Sequence, residues 1–161
     1  SREEARAYYQ QVLRLQPGHP GASAGLLTLA AEGDLQLTAS RAREMAERNP
    51  ESAVALSTLA GLLAKEGRIA EAQQAYFKAL ALEPDNALHA YNLAVALDRL
   101  HKYGPAQTYY QRSLTLAEKS GAGEKLGFPG REAARRLEQL RAQQPERNSL
   151  SAGNASNNGQ R

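Results

Sequence analysis

Three prolines recur at nearly equal intervals, and this spacing limits the folds open to the chain more than any other feature. Pro17, Pro50 and Pro84 each follow a stretch with helical patterning, and they recur with a period of about 34 residues. Because proline cannot continue a helical hydrogen-bond ladder, each one marks the end of a helix. A fixed period of this length is typical of repeat architectures, in which each unit buries its apolar face only against its neighbours.

The segment 53–86 is the clearest unit and is predicted to form two helices. The apolar residues of its first helix recur at i, i+3, i+4 and i+7, which places them on one face. Gly67 separates the two helices, at a point where a left-handed C-cap favours a residue without Cβ. The predicted core positions are Leu56, Leu59, Ala60 and Leu63 in the first helix and Ala72, Tyr76, Ala79 and Leu80 in the second.

This pattern resembles the tetratricopeptide repeat (TPR). That repeat is a helix–turn–helix unit of about 34 residues with W-x2-L-G-x2-Y, then A-x3-F, then a closing proline. The four core positions of the first helix correspond to W-x2-L-G-x2-Y. Ala72 and Tyr76 correspond to A-x3-F, and Pro84 corresponds to the closing proline. The resemblance implies an all-α fold: an α–α superhelix (TPR solenoid) of antiparallel helix pairs, ended by a C-terminal capping helix.

The next unit, 87–120, repeats the pattern with two departures. Its predicted core positions are Ala90, Leu93, Ala94 and Leu97, followed by Ala106, Tyr110 and Ser113. His101 stands where Gly67 stood, and histidine tolerates the left-handed region better than most residues. Glu118 replaces the closing proline, so we expect the second helix to continue toward Ser120 and Gly121.

The stretch 1–52 is less regular. Residues 1–17 match the second helix of a truncated repeat, either the fragment of a longer array or a natural start that docks against something else. Residues 18–52 form a degenerate unit in which Ala42 replaces the aromatic residue. The sequence 24–27 echoes 60–63, but this alignment disagrees with the one that the prolines imply. The register of the first helix in this unit is therefore left open.

The end of the chain is predicted to cap the array. Residues 121–143 are interpreted as a glycine-rich linker and a capping helix, whose narrow apolar face consists of Ala133, Leu137 and Leu140. Repeat arrays need such a half-polar helix over their last apolar surface. Residues 144–161 are rich in Ser, Asn and Gly, and we expect them to be disordered.

Composition and motifs argue against catalysis. The chain has no cysteine, and its three histidines lie far apart, so we expect no metal site and no cofactor. No catalytic triad or carboxylate pair can be assembled, and the glycine-rich stretch 121–127 lacks the G-x4-G-K-[ST] of a phosphate loop. We therefore predict neither an enzyme nor a small-molecule substrate.

The charge distribution and the hydropathy argue against a nucleic-acid partner and against a transmembrane segment. Residues 1–130 carry 14 basic and 14 acidic side chains, so the net charge of +3 comes from arginines of the terminal helix and tail. This distribution argues against nucleic-acid binding despite the basic pI. No apolar run is long enough to predict a transmembrane segment.

The resemblance implies that a protein partner, as a peptide or a helix, binds a concave groove formed by the first helices of the units. The predicted inward residues are Ser57, Gly61 and Ala64, then Leu88, Tyr91, Asn92, Val95 and Asp98, with Ser23, Leu27 and Ala30 in the degenerate unit. Members that bind chaperone tails clamp a carboxylate with Lys, Arg and Asn, whereas these positions are mostly small or apolar. The alternative interpretation is that the small residues only permit tight helix packing.

We therefore predict a non-enzymatic protein–protein interaction scaffold of bacterial origin. One specific form of this hypothesis is an assembly factor of an envelope complex such as a pilus or secretion apparatus, in the periplasm or cell envelope; the cytoplasm stays open. The alternative is a self-assembling homo-oligomer that docks through an open N-terminal helix face carrying Tyr8 and Tyr9. A third hypothesis places an enzymatic or nucleic-acid-binding part elsewhere in a longer chain.

Overall fold

The computed structural model describes residues 1–30, 35–121 and 127–155, and these contain eight helices and no strand. The predicted all-α class is therefore confirmed. The helices are α1 (Arg2–Leu15), α2 (Pro20–Ala30), α3 (Leu35–Arg48), α4 (Ala53–Lys65), α5 (Ile69–Leu82), α6 (Ala87–Arg99), α7 (Tyr103–Ser120) and α8 (Gly130–Ala155).

The first helices of successive units begin at equivalent capping residues. Ser52 Oγ accepts a hydrogen bond from the amide three positions on, at 3.2 Å, and Asn86 Oδ1 accepts from the amides two and three positions on, at 3.0 and 3.1 Å. His19 Nδ1 accepts from the amide of Ala22 at 3.1 Å. Each such bond satisfies a backbone donor that the helix itself leaves free. Each cap lies two positions after a proline of the repeat, so α2 aligns with α4 in the register of the prolines.

The turns between paired helices use left-handed backbone, as predicted. Gly67 has φ of 80° and His101, in the equivalent position, has φ of 59°. Gly121 ends α7 with φ of 64°, so this helix extends through Ser120 as expected from the missing proline. Each left-handed residue ends its helix, and at Gly67 and His101 the second helix then folds back along the first.

The hydrophobic core is formed mainly between helices that are consecutive in the chain. Helices that follow one another along the chain pack together, as α4 does with α5 and α6 with α7, and α2 also packs against α4. α4 and α6 contribute the largest sets of buried residues, and Leu93 of α6 is fully enclosed. Tyr76 and Tyr110 are buried at equivalent positions of α5 and α7. Each unit thus buries its apolar stripe against its neighbours.

The contact between α1 and α2 is less extensive than the contacts of α4 with α5 and of α6 with α7. No residue of α1 is fully buried. The guanidinium of Arg2 donates to the carbonyl of Leu29 at 2.5 Å, which joins the start of α1 to the end of α2. The ring of Tyr9 lies so close to Gly25 that a Cβ there would overlap the ring.

α8 caps the array but is longer than expected. Ala133, Leu137 and Leu140 are buried, in keeping with the predicted apolar face, and α8 packs on α7. The backbone of 144–155 continues this helix, where we expected disorder. Most of the predicted linker, residues 122–126, and the end of the tail, residues 156–161, lie outside the described residues.

Candidate partner-binding groove

Two adjacent first helices form the surface predicted to bind a partner. Ser57, Gly61 and Ala64 recur at i, i+4 and i+7 on α4, so they share one face of that helix. Tyr91, Val95 and Asp98 share the equivalent face of α6. The guanidinium of Arg99 donates to the carbonyl of Ala64 at 3.4 Å and joins the C-terminal ends of the two helices. We call this surface the α4–α6 face; its residues are Val54, Ser57, Gly61, Ala64, Leu88, Tyr91, Asn92, Val95 and Asp98.

The α4 half of this face is small and uncharged. A Cβ added at Gly61 would lie 3.5 Å from the hydroxyl of Tyr76, an ordinary van der Waals contact. The hydroxyl of Ser57 turns back onto its own helix and donates to the carbonyl of Val54 at 3.2 Å. The backbone of α4 is therefore open to close approach by a partner.

Exposed apolar side chains flank these small residues. Val54 is 40% exposed and Leu88 is 43% exposed, and the two occupy equivalent positions, each two residues after the N-cap of its helix. We predicted Leu88 but missed Val54, although the repeat period alone relates the two positions. Asn92 and Val95 are half-buried, and Val95 packs partly against the core.

Tyr91 is less accessible than its position suggested. Its ring makes edge contacts with the rings of Tyr110 and Phe128, at centroid distances of 5.9 and 6.2 Å. Burial raises the pKa of the Tyr91 phenol, and the nearby carboxylate of Glu132 raises it further. Phe128, which precedes α8, was not predicted because it lies outside the repeat pattern. Tyr91 therefore lines the end of the face instead of projecting from it.

Asp98 is bound within the chain, which corrects its predicted availability to a partner. Its carboxylate accepts two hydrogen bonds from Arg136 of α8, from Nε at 2.6 Å and from Nη2 at 2.8 Å. The Tyr110 hydroxyl donates to the same group at 3.1 Å. Arg136 and Tyr110 hold the pKa of Asp98 below its usual range, despite the opposing effect of burial. Burial and the Asp98 carboxylate raise the pKa of Tyr110.

The three groove residues predicted in the degenerate unit do not lie on the α4–α6 side of the array. In the register of the prolines, Ser23, Leu27 and Ala30 are equivalent to Leu56, Ala60 and Leu63, which are core positions. Ser23 and Leu27 line a cavity of about 350 Å³ between α1, α2 and α3. Since this cavity lies on the side of the second helices, these residues are not part of the predicted groove. The error came from the undetermined register.

A related cavity of about 400 Å³ lies between α3, α4 and α5, with Leu56, Leu59 and Leu63 at its base. Ala46 and Ala75 border it. One repeat further along the chain the equivalent positions carry the larger Leu80 and Tyr109, both packed on the core. Small residues thus leave this space open, a feature that we did not predict from the sequence.

The predicted tyrosine pair of the N-terminal face has two different environments. Tyr8 is 64% exposed, while Tyr9 is half-buried with its ring on Gly25. The two rings meet edge to face with centroids 5.9 Å apart. Tyr8 therefore presents the larger free surface, and Tyr9 mainly joins α1 to α2.

The described residues offer neither a metal cluster nor a membrane-spanning helix. Among them, no group of three His, Cys, Asp or Glu side chains is placed to hold a metal ion. Within the same part of the chain, no helix combines the length and apolarity needed to cross a membrane.

The comparison with protein families decides the identity of the repeat. A family model of the tetratricopeptide repeat matches residues 53–86, the unit formed by α4, α5 and the cap of α6. The chain contains a tetratricopeptide repeat at residues 53–86. No curated protein gives a significant match to it. Tetratricopeptide repeats are generally non-catalytic modules, and they indicate a protein–protein interaction scaffold with protein partners.

Proposed function

We propose that this tetratricopeptide repeat protein binds a segment of another protein, an extended peptide or a helix, across the α4–α6 face. The observation that carries the proposal is the pair of exposed apolar residues, Val54 and Leu88, repeated at equivalent positions beside Ser57 and Gly61. Apolar side chains exposed together favour a protein contact. Ser57 and Gly61, on the same face of α4 as Val54, are small and let a partner backbone approach this helix closely.

The charges near this face favour an apolar partner segment. Arg136 already neutralises the carboxylate of Asp98, so this acid is not free to receive a cation. Arg99 directs its guanidinium to the carbonyl of Ala64. The contacts expected with the partner are therefore van der Waals contacts with Val54 and Leu88, and backbone hydrogen bonds supplement them.

The test is capture of a partner from the lysate of the source organism with wild-type protein, Gly61→Arg and Gly104→Arg. Gly61→Arg places a long side chain on the α4–α6 face, with only an ordinary contact at its Cβ. Gly104 lies in α7, and a Cβ there would meet nothing within 4 Å, so Gly104→Arg is the matched control. We expect wild type and control to capture the same protein and Gly61→Arg to lose it. Capture of that protein by all three would place the binding surface elsewhere.

The identity of the partner is a separate prediction. One hypothesis is that the protein is an assembly factor of a bacterial envelope complex, such as a pilus or secretion apparatus. This hypothesis predicts which protein is captured and in which compartment it occurs. A pilus or secretion component held through the α4–α6 face would support it. A partner from an unrelated pathway would leave the binding surface in place and reject that role.

A further inference from the structure

The cavity between α3, α4 and α5 lies in the middle of the array, with further helices before and after it, and we call it the α3–α5 cavity. Its volume is about 400 Å³, and Leu56, Leu59 and Leu63 of α4 form its floor. These three leucines lie on a different side of α4 from Ser57 and Gly61. The α3–α5 cavity is therefore separate from the α4–α6 face.

The repeat shows which side chains the next unit places around the equivalent space. In the register of the prolines, Ala46 of α3 is equivalent to Leu80 of α5, and Ala75 of α5 is equivalent to Tyr109 of α7. Leu80 is buried, and Tyr109 is half-buried and packs against the core. The α3–α5 cavity thus has two methyl groups where the next unit has a leucine and a tyrosine side chain.

The floor of the cavity compensates for one of these two differences. Leu56 is equivalent to Ala90, whereas the other two floor positions carry leucine in both units. The extra bulk of Leu56 balances the smaller side chain of Ala46. The net difference between the two units is therefore about one ring, the ring of Tyr109. Without such a ring, the leucines of the floor lack the dispersion contacts that it would provide.

The mouth of the cavity carries one uncompensated charge of each sign. Glu47 and Lys78 line the cavity and are exposed. Within the described part of the chain, neither side chain forms a hydrogen bond or an ion pair. The other two charged residues of the lining, Arg43 and Glu71, pair with each other at 3.4 Å. This mouth is complementary to a polypeptide segment that carries charges of both signs.

We infer that the α3–α5 cavity is a docking site for one aromatic side chain, of tyrosine or phenylalanine, within a charged segment of another protein. The ring takes the place that Tyr109 has in the next unit, and the charges beside it pair with Glu47 and Lys78. An aromatic anchor in an apolar pocket with a polar rim is typical of the residues that contribute most to protein interfaces.

The segments of this chain outside the described residues do not supply the ring. Residues 31–34, 122–126 and 156–161 contain no aromatic residue. The ring therefore comes from another molecule, and the mixed charges at the mouth favour a protein segment over a small apolar compound.

The experiment titrates the full chain with four capped tripeptides, Lys-Tyr-Glu, Glu-Tyr-Lys, Ala-Tyr-Ala and Lys-Ala-Glu, and follows the alanine and leucine methyl groups by NMR. We expect at least one charged tyrosine peptide to bind saturably, with shifts concentrated on the lining of the α3–α5 cavity. Ala-Tyr-Ala should bind several-fold more weakly, and Lys-Ala-Glu should not bind. The double variant Glu47→Gln, Lys78→Gln should remove the advantage of the charged tyrosine peptide.

Two variants fill the cavity from within the chain. Ala75→Tyr gives α5 the pair of adjacent tyrosines that α7 carries at 109 and 110, and we expect it to weaken peptide binding at least tenfold. Ala46→Leu fills the same space from α3, should act in the same direction, and serves if Ala75→Tyr does not fold. Ala81→Tyr is the matched control, since Ala81 is exposed on α5 outside the lining, and it should bind like wild type.

Four results would overturn the inference. The first is the absence of binding by every tyrosine peptide at millimolar concentration. The second is equal binding of Lys-Ala-Glu. The third is binding of p-cresol, the side-chain analogue of tyrosine, without binding of the peptides, which would make a free aromatic molecule the occupant. The fourth is a concentration-dependent dimer in sedimentation that Ala75→Tyr abolishes, which would make a second copy the occupant. Gly61→Arg should bind the peptides normally, so failure of this site and failure of the α4–α6 face are distinguishable.

Discussion

At the scale of single residues, the turn within each unit imposes a left-handed backbone whatever residue is present. Gly67 and His101 occupy equivalent positions in successive units, with φ of 80° and 59°. A side chain with Cβ is strained in this region by about 1–2 kcal/mol, whereas glycine enters it freely. The hydrogen-bond contact of His101 Nδ1 with the Tyr103 hydroxyl, at 2.7 Å, offsets part of this strain.

We therefore expect His101→Gly to raise the free energy of unfolding by about 0.5 kcal/mol and Gly67→Ala to lower it by about 1 kcal/mol. Urea unfolding monitored by circular dichroism measures both. Gly104→Ala is the control, since Gly104 lies inside α7 without a positive φ and a Cβ there meets nothing within 4 Å. Loss of stability in His101→Gly together with no change in Gly67→Ala would show that the turn does not impose this backbone.

A second residue-scale feature is the close approach of Tyr9 to Gly25. A Cβ at Gly25 would overlap the ring atoms of Tyr9, so Gly25→Ala must displace the ring. We expect this change to destabilise the protein by about 1–2 kcal/mol. Thermal unfolding of Gly25→Ala, Tyr9→Ala and the double variant tests the contact. The double variant should cost less than the sum of the single changes, and simple additivity would argue that the two residues do not meet.

At the scale of elements, one charge pair fixes the capping helix to the array. Asp98 of α6 receives two hydrogen bonds from Arg136 of α8 and one from Tyr110 of α7, so a single carboxylate joins three helices. Only 13% of the Asp98 side chain is exposed. The lowered pKa of Asp98 means that its stabilising contribution is present above the unfolded value, which is near about pH 4. That contribution is lost as the pH falls through the folded pKa.

Asp98→Asn should therefore lower the free energy of unfolding at pH 7 by about 1–3 kcal/mol, because charge-assisted hydrogen bonds are replaced by weaker ones. The difference from wild type should shrink as the pH falls below about 4, where Asp98 in the unfolded chain is already protonated. Denaturant unfolding between pH 7 and pH 3 measures this. Glu138→Gln, at an exposed site of the same capping helix, should show no comparable loss. A deficit for Asp98→Asn that is unchanged at pH 3 would contradict the role of the charge.

The elements also show what the sequence can predict. Prolines, the capping residues and the left-handed turns act within a few positions, so the helix ends and the 53–86 and 87–120 pairs were predictable from spacing alone. The pairing of Asp98 with Arg136 joins distant parts of the chain and depends on how α8 packs, which no local pattern encodes. Phe128 was missed for the same reason. The register of α2 became clear only when His19 proved to cap it, since histidine is not a residue that capping rules favour.

At the scale of the whole molecule, the helices form a sequential stack in which each packs mainly on its neighbours, so stability is distributed along the chain. The middle of the stack has neighbours on both sides, and α4 and α6 bury most of their apolar residues. α1 lies at one end with no fully buried residue and packs mainly on α2.

This arrangement predicts unequal opening of the array. In native-state hydrogen exchange we expect the amides of α1 to exchange first, since few buried apolar contacts oppose the opening of this helix. The amides of α6 should exchange last, through global unfolding, because Leu93 and its neighbours are enclosed from both sides. Gly61→Arg, which does not alter the core, serves as the control and should leave this order unchanged. Uniform exchange along α1–α7 would instead show that the array opens as one cooperative unit.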